Sequence, residues 1–413
     1  MNEVTKKAKQ VKSTEKNLRM AKTAEKNTAL LEIGRQIEKD MPTILRANAD
    51  DVERAQEKGV SEALVDRLRL TEARINAMIT ACAIVANLTD PVGTVIKSWI
   101  KDSLRIIQVR VPIGAIGMIY ESRPNVTLDA TILALKSGNP VLLRGGSDAL
   151  SSNLAIANAI KRGLSNSNLP PSAVEICEDT DRENVNQMLK MNEYLSLIIP
   201  RGGAGLIRFV VENATVPVLE TGVGNCHIFV DYNADIEKSV DIIDNAKTQR
   251  PGTCNAVETV LVHELIADNL LPKLRARLHS KGIEIRGCKK SAQIIECRTA
   301  NDRDWETEYL DFVLAIKVVK DVNEAIEHIE RYSTKHSESI LTNDLANANL
   351  FQASIDSAAV YVNASTRFTD GEQFGFGGEI GISTQKLHAR GPVALEELTT
   401  YKYIINGNYS VRG

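Results

Sequence analysis

The sequence predicts an α/β protein: a helical N-terminal stretch, two units that alternate strand and helix over parallel sheets, and a small β arm. Three observations carry that prediction. From 113 to 220, and again from 236 to 362, short apolar runs alternate with segments of helical period, as expected of doubly wound sheets. Residues 4–87 are rich in Lys, Glu, Ala and Leu, with proline only at Pro42. Residues 95–112 instead read as two strands around a short turn, and 401–406 is a further β-like run. A chain of 413 residues exceeds one compact domain, so two large domains are expected.

In the first alternating unit, 113–120 reads as a strand and 126–137 as a helix stopped by Gly138-Asn139-Pro140. A short buried strand, 141–144, leads through Gly145-Gly146 to Ser147 or Asp148, either of which can cap a helix to about 163. Strands at 174–177, 195–199 and 216–220 and helices at 183–191 and 204–212 complete the unit. Ligands of such a sheet bind at the carboxyl ends of its strands. The second unit runs helix 236–247, strand 258–263, helix 265–280, strand 314–319, helix 322–332, strand 339–342, helix 344–354 and strand 360–362, then a glycine-rich run, 374–381. The hairpin and the C-terminal run form either an arm for subunit contact or an edge sheet packed on its own chain, because an isolated hairpin needs a partner surface.

Composition narrows the function. A net charge of −3 and 4% aromatic residues point away from nucleic acid and from membrane surfaces. The six cysteines form no CxxC pair, so reduced thiols in a cytoplasmic protein are expected, with no metal site. No secretory signal and no membrane-spanning run is read.

Cys254 is the outstanding residue. It follows a Pro-Gly turn and is flanked by Arg250 and Asn255, just before an apolar run. A neighbouring cation favours thiolate, the reactive form, and Asn255 with nearby N–H groups can hold an oxyanion. The competing reading is a small hydrophobe packed under a loop. A nucleotide signature is weaker, since no GxGxxG follows the first strand. Gly202-Gly203-Ala204-Gly205 lies between a strand and a helix, where phosphates bind. Arg144-Gly145-Gly146-Ser147 puts an arginine at a strand end, suited to a 2′-phosphate.

Several longer motifs stand in a fixed order: Tyr120-Glu121-Ser122-Arg123-Pro124-Asn125-Val126-Thr127, Leu142-Leu143-Arg144-Gly145-Gly146, Ile199-Pro200-Arg201-Gly202-Gly203, Glu220-Thr221-Gly222-Val223-Gly224-Asn225-Cys226-His227, the run 249–258, Lys335-His336-Ser337-Glu338, and the run 362–371. Through them the chain, to about residue 408, resembles the gamma-glutamyl phosphate reductases (glutamate-5-semialdehyde dehydrogenases) of the aldehyde dehydrogenase superfamily. The resemblance implies an aldehyde dehydrogenase-like fold: a Rossmann-type NADP(H)-binding domain over 1–224 with an oligomerisation hairpin at about 95–112, a catalytic domain over 225–390, and a return segment with an oligomerisation strand over 391–413. It implies NADPH-dependent reduction of L-glutamyl 5-phosphate to L-glutamate 5-semialdehyde and phosphate, in proline biosynthesis. It also implies a homodimer or higher homo-oligomer, and a separate glutamate 5-kinase as functional partner.

The implied roles follow residue by residue. Cys254 is the nucleophile, and Asn125 the side-chain donor to the oxyanion, against a plain helix-capping role after Pro124. Glu220 aligns with the glutamate that activates water in oxidative relatives, and here orients Cys254 or shuttles a proton. Arg123, Arg250 and Arg367 suit an anionic substrate, and His336 contacts substrate or is structural. Arg144, Gly145, Ser147, Gly202 and Gly203 hold cofactor. Glu308 holds the nicotinamide ribose or is a surface-loop acid. Cys226 reads as structural, and Thr253 stands where relatives more often carry a small aliphatic residue, with an effect on packing. The alternatives are a hydrolytic NAD(P)-dependent aldehyde dehydrogenase, an acylating enzyme using coenzyme A, and a non-catalytic protein of the same fold.

Overall fold

A computed structural model describes residues 2–412 and divides the chain into two compact units. The first comprises 1–221, 375–381 and 393–413, and the second 222–374 and 382–392. The glycine-rich run 375–381, read from the sequence as part of the second domain, therefore belongs to the first.

The first unit is built on a parallel sheet in the order Val174–Ile176, Val141–Gly145, Ile116–Tyr120, Leu197–Arg201. All five residues of Ile116–Tyr120 are buried, as a central strand covered on both faces requires. The N-terminal helix Glu3–Ser13 lays Val4, Ala8 and Val11, at helical spacing, into one apolar cluster with Ile119, Leu142, Val185, Met188 and Val210. The predicted strand at 216–220 shrinks to a single bridge between Val218 and Ile198. Pro217 has no N–H to give a ladder there.

The helix Leu150–Ser165 packs on the long helix Thr23–Glu57. Gly163 makes this approach possible, because a Cβ on it would lie 2.7 Å from the Ile33 Cα, a backbone atom that cannot rotate away. Two buried lysines tie the helical layer together. Lys26 Nζ sits 2.8 Å from Asp90, and Lys136 Nζ donates to Asn27 Oδ1 (2.6 Å) and the Ala86 carbonyl (2.8 Å).

The strands Val95–Lys101, Leu104–Pro112 and Thr399–Asn406 form a three-stranded antiparallel sheet, which joins the hairpin to the C-terminal run. Every residue of Val95–Lys101 is exposed, including Ile100 at 77%, and Tyr403 is 52% exposed. Trp99 and Tyr403 meet edge to face at 6.1 Å. Gln108 and Val109 of the middle strand are buried, while Trp99, Ile100, Tyr401 and Tyr403 leave an apolar aromatic surface open to solvent.

The second unit is a seven-stranded parallel sheet in the order Arg298–Thr299, Glu284–Gly287, Val313–Val319, Val257–His263, Cys226–Val230, Ser337–Leu341, Ala359–Val362. Side chains alternate between its faces. Ile228, Val230, Val260 and Val262 join a cluster with the helices Ile236–Thr248 and Glu264–His279, while Phe229 and Leu261 join another with Val322–Tyr332 and Leu345–Ser354. The two outer strands, at 284–287 and 298–299, escaped the sequence reading because they are short and carry exposed charge at Glu284 and Arg298.

The packing of Gly163 sets a test. Gly163→Ala is expected to lower the thermal midpoint, by about 1–3 kcal/mol of stability, because overpacking outweighs the helix preference of alanine. Gly205→Ala is the control: a Cβ there meets nothing within 4 Å, so stability should be unchanged or rise by roughly 0.4–1 kcal/mol. Thermal melts of the two variants check the pair.

Candidate active site

In the second unit the functional side chains gather around the turn 249–256, between the helix Ile236–Thr248 and the strand Val257–His263. Pro251 cannot extend the helix. The chain therefore turns, and Cys254 stands half-buried ahead of the strand. Cys226, Ser337 and Val257 open their strands, so Cys254 lies at the amino ends of this sheet, not at the carboxyl ends that hold ligands in doubly wound units.

Asn255 is an anchor. Its Nδ2 donates to the carbonyls of Thr369 (3.0 Å) and Arg367 (3.3 Å), and its own carbonyl accepts from Thr366 Oγ1 (2.7 Å). Its Oδ1 accepts from the Arg367 guanidinium and from Thr253 Oγ1. Both ends of the amide are occupied, so the oxyanion role read for Asn255 is corrected to that of a loop anchor. Arg367 also donates from Nε to Gln249 Oε1 (3.0 Å) and so spans the two ends of the turn. It was expected to bind substrate, and in this structure its Nε and Nη1 brace the turn that carries Cys254. Burial and the like charge of Arg250 pull its guanidinium below the usual arginine range, and the Asp370 carboxylate opposes that. Arg250 itself is exposed. Thr253 Oγ1 lies 2.9 Å from both the Arg250 carbonyl and Asn255 Oδ1 and staples the turn by hydrogen bonding.

Below the turn, Gly224 presses directly on Cys254. A Cβ at Gly224 would lie 1.5 Å from the Cys254 carbonyl oxygen. The Gly224 N–H donates to Glu308 Oε1 (2.7 Å). Glu308, expected either at the nicotinamide ribose or as a surface-loop acid, is half-buried and braces the backbone beside Cys254 through Gly224. Cys226 is wholly buried, with Sγ 3.2 Å from the Cys254 carbonyl oxygen and 3.8 Å from His336 Nδ1. Burial, then the charges of Glu338 and Cys254, push its thiol well above the usual range, so it stays protonated and is no second nucleophile. His336 is also fully buried, with Nδ1 2.8 Å from Ser337 Oγ. Its expected contact with substrate is corrected to a structural one, since it offers no exposed surface.

One element escaped the sequence reading altogether. Lys247 and Glu258, both fully buried, pair at 2.5 Å, and Leu310 N–H donates to the same carboxylate (3.1 Å). Burial raises the Glu258 carboxyl to about 7 against the pull of Lys247. The pair bolts the end of one helix to the strand that follows the Cys254 turn. The only sequence signal was one lysine and one glutamate at opposite ends of a motif.

The first unit holds the remaining predicted residues. Arg144, at the end of Val141–Gly145, donates from Nη2 to the Thr180 carbonyl (2.7 Å), while its buried Nε has no hydrogen-bond partner. A half-buried guanidinium with an orphaned donor at the carboxyl end of a parallel sheet fits an anionic ligand, such as the phosphate of a nucleotide. Ser147 is exposed beside it in chain order. Gly145 is buried, and a Cβ there would lie 2.2 Å from Asn153 Nδ2, so packing accounts for this glycine. At Gly202 and Gly203, Gly203 N–H donates to Glu121 Oε2 (2.8 Å), and a Cβ on Gly202 would lie 2.5 Å from the same atom. A carboxylate already fills the turn expected to cradle phosphate. Asn125 opens the helix Asn125–Lys136, with Nδ2 donating to Asp129 Oδ2 (2.8 Å). Arg123 and Glu220 are half-buried in loops of this unit. Among the described residues no helix is long and apolar enough to cross a membrane, and no group of His, Cys, Asp or Glu could hold a metal.

The chain matches the family described as "Aldehyde dehydrogenase family" over residues 2–287 and 285–404. It is 61% identical to the gamma-glutamyl phosphate reductase of Kosmotoga olearia over 413 residues, and 61% identical to that of Thermotoga maritima over 414, with all of both chains covered in each case. It superposes on a crystal structure of gamma-glutamyl phosphate reductase from Thermotoga maritima with a TM-score of 0.97 at 60% identity, over the full length of both chains. An acetylating aldehyde dehydrogenase from Geobacillus thermoglucosidasius, at 16% identity and a TM-score of 0.72 over 100% of this chain and 98% of its own, shares the fold.

The contact at Gly224 generates a prediction. Gly224→Ala must displace the Cys254 main chain, and a misplacement of this size costs on the order of 100-fold in turnover. Circular dichroism should show the variant folded while alkylation of Cys254 by iodoacetamide is slowed. Unchanged turnover would refute the account.

Proposed function

The chain belongs to the aldehyde dehydrogenase family, and from that premise we propose that it reduces L-glutamyl 5-phosphate to L-glutamate 5-semialdehyde with NADPH, releasing phosphate, as the second step of proline biosynthesis. The observation that carries the proposal is full-length identity of 61% to proteins named gamma-glutamyl phosphate reductase, with Cys254 presented on a braced turn.

The Cys254 thiolate attacks the acyl carbon, the bond to the phosphate oxygen breaks, and phosphate leaves, giving a Cys254 thioester. The Cys254 N–H and Asn125 are the proposed donors to the oxyanion, each worth about 2.7–4 kcal/mol. When bound, the reduced nicotinamide supplies the hydride that takes the thioester to the aldehyde level. The carbon–sulfur bond then breaks and the aldehyde leaves. Arg144, with Ser147, is proposed to hold the 2′-phosphate. Arg250 and Arg123 are the proposed contacts for the anionic substrate, and Glu220 a proton carrier. A glutamate 5-kinase is the proposed source of the acyl phosphate, in the cytoplasm, and the exposed aromatic face at Trp99 and Tyr403 is proposed to join two copies of the chain.

Three measurements test this reading. In the reverse direction, glutamate 5-semialdehyde and NADP+ should yield NADPH only when phosphate is present, and formation without phosphate would make water the acceptor and the enzyme hydrolytic. Cys254→Ser should abolish turnover. Arg144→Glu should raise the KM for NADPH at least about tenfold while leaving that for NADH nearly unchanged, the loss of one charge-assisted contact being about 1.5–3 kcal/mol. Equal losses for both cofactors would remove Arg144 from the 2′-phosphate.

A further inference from the structure

We propose that Cys226 is a positioning residue for Cys254, acting through the hydrogen bond from its thiol to the Cys254 carbonyl oxygen; this rests on the reading of Cys254 as the nucleophile. Several features of the second unit converge on that bond. Cys226 is fully buried, and its Sγ lies 3.2 Å from the oxygen. Buried among negative groups, the thiol keeps its proton and therefore donates.

The donor is itself held. Sγ lies 3.8 Å from His336 Nδ1, which is 2.8 Å from Ser337 Oγ, which is 2.6 Å from Thr369 Oγ1, which is 2.7 Å from the Tyr361 hydroxyl. Burial pushes the Tyr361 phenol up to about 12, so it keeps its proton and stays neutral at the far end of this chain. The carbonyl of the same Thr369 accepts from Asn255 Nδ2 (3.0 Å). One buried network thus reaches both residues of the Cys254–Asn255 peptide, with Gly224 packed against its oxygen.

The strand is built to place the thiol there. Cys226 pairs with Val257 and His227 with Thr259, so the parallel ladder skips Glu258, which turns to Lys247. Such an irregularity re-aims the side chains beside it. Holding the peptide after the nucleophile fixes ψ of Cys254, and with it the direction in which the Cβ–Sγ bond leaves the backbone. The chemistry itself gains nothing from Cys226 as a nucleophile, acid or base; its effect is through Cys254.

The test separates a donor from a filler. Cys226→Val fills the space without a donor, and Cys226→Ser keeps a donor in less volume. Turnover of the full-length enzyme is measured in the direction of glutamate 5-semialdehyde, NADP+ and phosphate, and alkylation of Cys254 by iodoacetamide is followed by peptide mass spectrometry without substrate. The valine variant should lose about 10- to 100-fold in kcat, with KM values within about twofold. The serine variant should stay within about threefold of the parent, and alkylation should follow the same order. Should the serine variant not fold, Cys226→Thr, which matches valine in shape and carries a hydroxyl, repeats the comparison. A valine variant as active as the serine or threonine one would overturn the proposal and leave a packing role. Turnover retained in Cys254→Ser would instead remove the nucleophile reading, a separate failure.

Discussion

The contact between the α-carbon of Gly224 and the carbonyl of Cys254 is the constraint from which the rest of the site follows. No side chain fits between them, so two backbone segments meet face to face. Such an approach needs each segment held from its far side. Glu308 holds Gly224 by its N–H, Cys226 holds the Cys254 carbonyl, and Asn255 with Arg367 ties the next residue to the 366–369 segment. The Lys247–Glu258 pair clamps the two ends of the whole turn. A cysteine on a loop thereby gains the placement usually reserved for a side chain on a strand.

These braces are buried and polar, which explains their number. A buried carbonyl, thiol or carboxylate is costly unless it is paired, so each group brought under the turn requires another. Ser337, Glu338 and Ser339 show the consequence, lying fully buried in one strand with partners in His336, Thr369, His227, Ser333 and Ala364. The polar opening of that strand is why its first two residues were missed in the sequence. The two sheets also differ in where their functional groups stand. Arg144 lies at the carboxyl end of a strand, as doubly wound units favour, whereas Cys254 stands at the amino ends of the second sheet.

The family and the principal residue were legible in the sequence. Alternating apolar runs read as buried strands because parallel strands are covered on both faces, and Cys254 stood out because proline and glycine announce a turn whatever surrounds them. The hairpin at 95–112 and the run at 401–406 were legible as strands for a local reason, their β-branched and aromatic content. What those residues touch was not local. Asn255, Arg367, Glu308 and His336 all sat in motifs that suggested contact with a ligand, and the structure gives each a partner within the protein. The Gly202–Gly203 turn has the look of a phosphate cradle, yet Glu121, eighty-two positions away, fills it.

The sequence by itself determined the alternation of strands and helices in both units, though not the strands at 226–230, 284–287 and 298–299, together with the strand character of the arm and the candidacy of Cys254, because each depends on periodicity or on turn-forming residues close in the chain. Tertiary structure decided which polar residues are braces, which glycines yield to a neighbouring backbone, and that Cys226 lies against the Cys254 carbonyl. Those outcomes depend on distances between residues tens to more than a hundred positions apart, and hydrogen-bond partners at that range leave no periodic trace in a sequence.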